Sequence, residues 1–324
     1  MVLATHGVDL DGLGSIIISE YFGLPFNHYV LVSYDEEKDD NGKYVLERFK
    51  DIEDTLVFTD FHIDKEHYKA LERTFKTFYI FDHHKSTEEL FDKPNVFYDD
   101  SKSGTLIYYE WLMSLPDAEF NPIVDHFVKL VNTYDMWKSG SILWDDAVGL
   151  NNILWSAQNW ADQSKTWHRY KFFINMQVEK MRTGADEWFW TAYERNQIAM
   201  GKKKVDDEYK KAIDNIIFRT DGKGRKFAIY QGSSKISLVC NMILKENDID
   251  YVIAINTFNA DGPNKVDKRV SVRSKPHFNV RSLAGVDGHE QAGGAMYPKG
   301  YLNDLLSGKI PYIPYKRQRS SDVR

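Results

Sequence analysis

Four short stretches of the sequence carry carboxylate and imidazole side chains, which divalent metal ions take as ligands where no sulfur is present. They are "HGVDLD" at 6–11, "FTDFH" at 58–62, "FDHH" at 81–84 and "NTYDMW" at 132–137. The candidate ligands and their neighbours are His6, Asp9, Asp11, Asp60, Asp82, His83, His84 and Asp135. Any one stretch alone is a weak signal, because a polar turn is the simpler explanation. Their joint occurrence indicates a shared metal site.

Phosphodiester hydrolysis is the chemistry that such a set could perform. It needs a nucleophile at neutral pH and neutralisation of charge on the attacking and leaving oxygens, and two divalent ions about 3.5–4 Å apart provide both. Ligands of oxygen and imidazole suit Mn²⁺, with Mg²⁺ as the alternative, better than a structural zinc. Cys240 is the sole cysteine, so thiolate metal sites and an intrachain disulfide are excluded. Crowded carboxylates repel one another, so we expect metal binding to be coupled to folding of the site.

The elements around these residues predict how they meet. Nearly continuous apolar runs predict strands at 1–5, 29–34, 55–61, 77–82 and 95–99, and the segments 12–22, 64–75 and 104–115 between and after them have helical character. This alternation predicts a doubly wound parallel sheet, whose active site lies at the carboxyl ends of the strands. Three of the four stretches fall at such ends, so we expect them to converge on one edge.

The rest of the chain predicts further structure. Apolar residues at helical spacing follow, namely Trp167, Tyr170, Ile174, Val178 and Met181, and a second helix is expected from about Asp186 to Ile217. After the turn-rich "RTDGKGRK", strand-like runs return at 227–232, 251–258 and 269–274. We therefore predict an α/β protein with a doubly wound catalytic domain (1–158), a helical connector (159–217) and a smaller α/β C-terminal domain (218–324), with a cleft between the two lobes.

Charge is distributed unevenly along the chain. The net charge is −6, but residues 221–324 carry 17 basic and 10 acidic side chains, which leaves −13 for the other 220 residues. A basic face attracts phosphates, although an uneven solvated surface explains the asymmetry equally well.

The sequence contains no stretch of eighteen residues without a charged side chain, so we expect no membrane span. The first residues lack the features of a secretory signal, and we expect a cytoplasmic protein.

In their order and type, the four stretches resemble the motifs of the DHH phosphoesterase superfamily. That superfamily includes the exonuclease RecJ, family II inorganic pyrophosphatases, nanoRNases and cyclic-dinucleotide phosphodiesterases. The pieces "HGVDLDG", "SGTLIYYEWL" and "NTYDMW" look most like the oligoribonuclease (nanoRNase B-like) branch. "RVSVRS" and "GHEQAGGA" look like the DHH-associated C-terminal domain, which binds the substrate.

The resemblance implies roles for the ligand residues. One ion would be held by His6, Asp9 and Asp60, and the other by Asp11, Asp60, His83 and Asp135, with Asp60 bridging. Asp82 would orient a ligand imidazole, and His84 would contact the phosphate or donate a proton. His62 and Asp64 lie close behind Asp60, but nothing in the family pattern requires them. His28, His67 and His126 are most simply surface or helix residues.

The resemblance also implies residues that contact the substrate. Arg273 would clamp a phosphate through its two-pronged guanidinium. Ser103 lies near the site in the family, although its place at a helix start fits an N-cap equally well. Gly288, His289, Gly293 and Gly294 would form an anion-binding loop that runs towards a helix. The family has consecutive glycines before this histidine, whereas the present chain has Val286 and Asp287 three and two residues before it.

The implied activity is a metal-dependent phosphodiesterase that hydrolyses short oligonucleotides (nanoRNA) to 5′-mononucleotides with water activated by two metal ions. Alternatives are a phosphodiesterase for linear or cyclic signalling dinucleotides, a single-strand DNA exonuclease, and a metal-stabilised nucleotide-binding module without catalysis. Inorganic pyrophosphate is disfavoured by the C-terminal motifs. The expected partners are short single-stranded RNA or DNA or dinucleotides, and not a membrane. Cleavage polarity and oligomeric state stay open.

Overall fold

The computed structural model describes residues 1–7, 9–32, 55–157, 166–256, 267–288, 290–310 and 312–313. The chain divides into two compact units, a first unit of Met1–Ala199 and a second unit of Met200–Arg324. Each unit has its own sheet, and the predicted α/β class is confirmed. The predicted division at residues 158 and 217 stays a prediction.

The first unit is built on a five-stranded sheet in which every neighbouring pair is parallel. The order across the sheet is β2-β1-β3-β4-β5. The strands are β1 (Val2–His6), β2 (His28–Val32), β3 (Leu56–Thr59), β4 (Phe78–Asp82) and β5 (Val96–Tyr98). All five were predicted. The inner strands β1 and β3 are buried along their whole length, and such strands have a continuous apolar sequence.

Alternating residues of β1 face two separate cores. Leu3 packs with one cluster that includes residues of several helices, whereas Val2 and Ala4 pack with another. This two-residue period is the geometry of a strand covered on both sides. Helices therefore cover both faces of the sheet, and polar side chains can gather where its strands end.

The helices of the first unit begin where side chains satisfy their free N–H groups. Asp9, Asp64, Ser103 and Asn121 accept such bonds at the starts of the first four. The helices are α1 (Leu10–Tyr21), α2 (Lys65–Thr74), α3 (Gly104–Met113), α4 (Pro122–Asp135), α5 (Trp144–Ala157) and α6 (Thr166–Met181), and a short 3₁₀ turn spans Glu88–Leu90.

Helix α6 confirms the predicted helical spacing. Its residues Tyr170, Ile174, Val178 and Met181 belong to the same apolar cluster as the first sheet and α1. This helix is therefore part of the core of the first unit.

The next helix, α7 (Ala192–Asn215), starts six residues later than predicted. Thr191 and Glu194 accept hydrogen bonds from each other's backbone N–H groups, and this capping box fixes the start. The preceding residues Trp188 and Trp190 instead enclose the ammonium of Lys180, at 4.2 and 4.7 Å from their ring centroids. Lys180 is 3% exposed and its Nζ lies 2.5 Å from the buried Glu194 carboxylate.

The second unit contains a six-stranded mixed sheet in the order β10-β11-β9-β8-β7-β6. Strands β7 and β8 are parallel and joined by helix α8, and the other neighbours are antiparallel. The strands are β6 (Ile217–Thr220), β7 (Lys226–Gly232), β8 (Tyr251–Asn256), β9 (Asp267–Ser274), β10 (Asp287–Gly288) and β11 (Ala292–Pro298); the helices are α8 (Ile236–Glu246) and α9 (Lys299–Ser307), with a 3₁₀ turn at Val280–Ser282.

Within the part of the chain that the structure describes, no helix is both long enough and apolar enough to cross a membrane.

Candidate metal centre

The predicted ligands gather at the carboxyl edge of the first sheet. His6 is the last residue of β1, Asp60 directly follows β3, and Asp82 is the last residue of β4. Because these strands are parallel neighbours, their carboxyl ends meet at one edge. His83 continues from β4, and Asp135 arrives at the same place as the last residue of α4.

The six predicted ligands form two compact groups. In one, atoms of His6, Asp9 and Asp60 all lie within 4.8 Å of one another, and in the other the same holds for Asp11, His83 and Asp135. A third group that overlaps them, Asp60, Asp82, His83 and His84, meets the same limit.

Asp60 faces both groups. Its Oδ2 lies 3.8 Å from His6 Nδ1, and its Oδ1 lies 3.3 Å from His83 Nε2. The structure thus brings together all six residues that the sequence suggested as ligands.

Asp60 is held in an unusual backbone conformation. Its φ of 51° lies in the left-handed region, which costs a residue other than glycine about 1 kcal/mol or more and often marks a functional site. Its N–H donates to the carbonyl of Phe81 at 2.9 Å, which ties the turn to β4. A Cβ on Gly104 would lie 2.8 Å from the Asp60 nitrogen, so the start of α3 fits against this turn only as glycine.

The start of α3 also holds the Asp11 carboxylate. The N–H of Gly104 donates to Asp11 Oδ2 at 2.7 Å, and the N–H of Thr105 donates to Oδ1 at 2.9 Å. Two N–H groups at a helix N-terminus stabilise a carboxylate strongly. This role of Gly104 and Thr105 was not predicted, although the "SGT" at a helix start is the signal that marks it.

Ser103 caps the start of α3. It is buried, its Oγ accepts the N–H of Leu106 at 3.3 Å, and its own N–H donates to Asn132 Oδ1 at 3.0 Å. These contacts are those of the predicted N-cap. A contact between Ser103 and the substrate stays a prediction.

Asp82 contacts the second of the paired histidines. Its Oδ1 lies 2.7 Å from Nδ1 of His84. That Asp82 orients a ligand imidazole stays a prediction. Its Oδ2 accepts the hydroxyl of Thr87 at 2.5 Å. His84 Nδ1 also lies 4.0 Å from Asp60 Oδ1. The pair formed by Asp82 and His84 is called the dyad below.

The electrostatics of the centre follow from burial of like charges. Burial raises the pKa of the Asp60 carboxyl well above its usual range, and the neighbouring Asp11 and Asp9 raise it further. Burial also raises the pKa of Asp11, and it raises that of Asp135 to about 7. Positive charge at the centre would therefore be strongly favourable.

In the dyad, the charge of the partner residue outweighs the effect of burial on each pKa. Burial lowers the pKa of the His84 imidazole, but the adjacent Asp82 carboxylate outweighs it and the pKa is raised to about 9. Burial raises the pKa of Asp82, but the charge and hydrogen bond of His84 outweigh this effect and the pKa is lowered. At neutral pH the dyad is thus an ion pair whose imidazole can donate.

The donor set fits divalent ions. Oδ2 of Asp60 and Oδ2 of Asp135 are buried, and no residue in the described ranges donates a hydrogen bond to either. Buried carboxylate oxygens without donors are costly unless a cation meets them. The six candidate ligands offer only oxygen and imidazole nitrogen, which suits Mn²⁺ or Mg²⁺.

Residues just behind Asp60 have other contacts. His62 Nδ1 contacts the hydroxyl of Ser86, and Asp64 caps α2 by accepting two N–H bonds. Neither residue belongs to the groups of ligand atoms found in the described residues. Of the remaining histidines, His67 lies in α2 and His126 lies in α4, where its ring stacks on Trp188 at 5.3 Å.

Arg273 of the second unit lies on β9 with its guanidinium directed to protein acceptors. It donates to the hydroxyl of Ser237 at 2.5 Å and to the carbonyl of Gly293 at 3.3 Å. These bonds orient the side chain. Its role as a phosphate clamp stays a prediction.

The glycine-rich stretch was expected to be a loop running towards a helix, and this expectation is wrong. Gly288 pairs with Gly293 across the antiparallel strands β10 and β11, and Gly294 continues β11. Gly288 has a φ of 125°, and a Cβ there would lie 2.6 Å from the carbonyl of Ala292, so the hairpin requires glycine. Val286, which departs from the family pattern, is a buried core residue. His289 lies outside the described residues.

Comparison with known proteins supports the fold. No family model and no curated protein sequence matches the chain. Among solved structures, the DHH domain of a protein described as belonging to a family of ribosomal proteins is 13% identical with a TM-score of 0.60, covering 97% of this chain and 87% of that one.

Two further solved structures resemble the chain less closely in shape. Exonuclease RecJ bound to manganese is 11% identical with a TM-score of 0.49, covering 96% of this chain and 88% of that one. A putative family II inorganic pyrophosphatase from Methanococcus jannaschii is 14% identical with a TM-score of 0.31, covering 94% and 98%. Fold and site together thus define a class: a two-unit α/β protein that is similar in fold to a DHH domain and has a buried cluster of carboxylates and imidazoles at its sheet edge.

Proposed function

We propose that the chain is a metal-dependent phosphodiesterase that hydrolyses short oligonucleotides to 5′-mononucleotides. The observation that carries the proposal is the pair of ligand groups, His6–Asp9–Asp60 and Asp11–His83–Asp135. Two divalent ions, when bound, supply a nucleophile at neutral pH and neutralise charge on the phosphate oxygens.

Asp60 is the residue that joins the two groups in this proposal. Its two oxygens face different histidines, His6 on one side and His83 on the other. A bridging carboxylate needs this arrangement. Asp11 is held by two N–H groups of α3, which leaves its remaining lone pairs for an ion.

The dyad supplies the proton in this proposal. The His84 imidazole is held through Nδ1 by Asp82, whose charge and hydrogen bond raise the imidazole pKa. Its Nε2–H group can stabilise a phosphoryl oxygen or donate to the departing 3′-oxygen as the bond to phosphorus breaks. Water adds to phosphorus, and the products are a 5′-mononucleotide and a shortened chain.

The choice of a nucleotide substrate rests on the sequence motifs and on the basic residues 221–324. Linear or cyclic signalling dinucleotides, and longer single-stranded DNA, present the same bond to the same centre. They are the alternative substrates, and a series of substrates separates them.

The test is hydrolysis of di- to pentanucleotides, linear and cyclic dinucleotides and a long single strand, with Mn²⁺ or Mg²⁺ and separation of the products by chromatography. We expect mononucleotides from the short linear substrates. Asp60→Asn should reduce turnover at least a hundredfold, because it removes the bridging charge.

Asp64→Asn is the matched control. Asp64 is a nearby carboxylate that caps α2, and asparagine is an equally good N-cap, so the variant should keep full activity. Mn²⁺ binding is followed separately by calorimetry. Equal activity in native protein and Asp60→Asn, or none in either, would contradict the proposed function.

A further inference from the structure

An open pocket lies beside the dyad, on the side of the edge strand β5. It has a volume of about 790 Å³ and is lined by Lys85, Ser86, Glu88, Glu89, Phe91 and Tyr98. Lys85 directly follows His84, and Tyr98 pairs with Asp82 across the sheet. The pocket is therefore one strand away from the residue that holds the proton donor.

The two aromatic side chains of this pocket differ: Tyr98 packs against a core cluster, whereas Phe91 is exposed. Phe91 is 71% exposed, although burying a phenylalanine ring stabilises a protein. An exposed aromatic ring in a pocket beside a reaction centre is a stacking platform for a flat ligand. The hydroxyl of Tyr98 is buried, so this residue offers the pocket its ring and not its oxygen.

The charges of the pocket argue against a phosphate as its ligand. The only cation in the lining, Lys85, is paired with Glu88 at 2.7 Å, and Glu89 adds a further carboxylate, so the lining has a net charge of −1. Carboxylates repel phosphate but accept hydrogen bonds from amino groups. A neutral ring that carries an amino group is the ligand that this lining fits.

The platform is fixed to the dyad by hydrogen bonds. Thr87 donates its hydroxyl to Asp82 and its N–H to the carbonyl of His84. The N–H of Phe91 donates to the carbonyl of Glu88, and Leu90 anchors the turn in the core. The backbone that carries Phe91 is thus tied to the dyad through Thr87 and the 3₁₀ turn.

We propose that this pocket is a nucleobase subsite, in which a purine of the substrate stacks on Phe91. The inference rests on the proposed function, because it assigns the scissile phosphate to the centre next to the dyad. A purine offers a larger stacking face than a pyrimidine. The pocket therefore selects the base that adjoins the scissile phosphate.

Phe91→Ala is the decisive variant, and Phe120→Ala is its matched control. Phe120 is 65% exposed and lies just before α4, at the opposite end of that helix from Asp135. The substrates are an adenine dinucleotide and two analogues in which one or the other base is missing. We expect Phe91→Ala to lower kcat/KM about tenfold for the dinucleotide and for one analogue. The other analogue, which lacks the stacked base, should be hydrolysed equally by both variants.

Phe91→Trp provides a second check, because it keeps an aromatic face and should retain or improve native kcat/KM. Equal loss in Phe91→Ala for all three substrates, or no loss for any of them, would overturn the subsite.

A binding measurement separates failure of the subsite from failure of the proposed function. 2-Aminopurine ribonucleotide 5′-monophosphate loses fluorescence when its base stacks, and its binding requires no turnover. We expect quenching with native protein and Phe120→Ala and about tenfold weaker binding with Phe91→Ala. Quenching that needs Phe91, without hydrolysis of any substrate, would support the subsite and refute the function. Hydrolysis of the substrates, with quenching that Phe91→Ala leaves unchanged, would support the proposed function and refute the subsite.

Discussion

Gly104→Ala tests whether the start of α3 and the turn at Asp60 depend on each other. The added Cβ would lie 2.8 Å from the Asp60 nitrogen and 2.9 Å from its Cα, whereas ordinary contacts are about 3.5–4.0 Å. The helix start must therefore retreat by roughly 0.7 Å or more. That movement also stretches the hydrogen bond from the Gly104 N–H to Asp11 Oδ2, which is 2.7 Å long.

The expected cost follows from these two contacts. Overpacking of a buried site costs about 1–3 kcal/mol, and weakening a hydrogen bond to a carboxylate costs up to about 1.5–3 kcal/mol. We expect a combined loss of about 3 kcal/mol, which for a unit of this size lowers Tm by roughly 6–12 °C. The proposed activity should fall about a hundredfold, because a shift near 1 Å misplaces the candidate ligands Asp11 and Asp60.

The assay uses the protein's own fluorescence. All eight tryptophans lie in Met1–Ala199, so tryptophan emission reports unfolding of the first unit. Gly140→Ala is the matched control, because a Cβ there would meet nothing within 4 Å, and its Tm should change little. A Gly104→Ala protein that melts with the control and binds Mn²⁺ with native affinity would refute the reasoning.

Three further predictions concern buried charge. Lys180→Ala should cost about 3–5 kcal/mol in urea unfolding, because it leaves a buried carboxylate unpaired, whereas Lys129→Ala in an exposed pair should cost under about 1 kcal/mol; equal losses would contradict this. Since burial raises the pKa of Asp135 from 3.8 to about 7, its neutral form stabilises the apo fold below pH about 4, and that stabilisation is lost as the pH rises through 7. Protons therefore compete with cations, so Mn²⁺ affinity by calorimetry should rise from pH 5.5 to 8 and rise less in Asp135→Asn; equal slopes would count against it. Asp82→Asn should lower kcat about a hundredfold and move the alkaline limb of the pH profile to lower pH, because His84 loses the partner that raises its pKa to about 9. An alkaline limb at the native pH would show that His84 is not the proton donor.

The sequence predicted the first sheet and its edge because the physical signals were local. A strand covered on both faces must be apolar throughout, and polar residues directly after it must lie at its end. His6, Asp60 and His83 each follow this pattern, so their convergence could be inferred from strand order alone.

Other features depended on partners far along the chain. The bonds from Gly104 and Thr105 to Asp11 join residues more than ninety positions apart, and no periodicity reveals them. The start of α7 could have been predicted from the sequence, because Thr191 and Glu194 form a capping box. The charged residues before it suggested an earlier start.

The glycine-rich stretch of the second unit misled for a different reason. Glycine permits both an anion-binding loop and a close hairpin, and the choice was made by pairing with β9. Gly293 and Gly294 face Val272 and Ser271 in that pairing, which only the whole sheet determines.

The position of Asp135 at the end of α4 has a consequence for the helix itself. The final carbonyl groups of a helix carry partial negative charge, so a carboxylate there opposes its own helix. A cation held by Asp135 would cancel both charges and act as a C-terminal cap. Amide protons in the last turn of α4 should then exchange more slowly with solvent once the ion is bound. Amide exchange in the first turn of this helix, about 20 Å away, should change less.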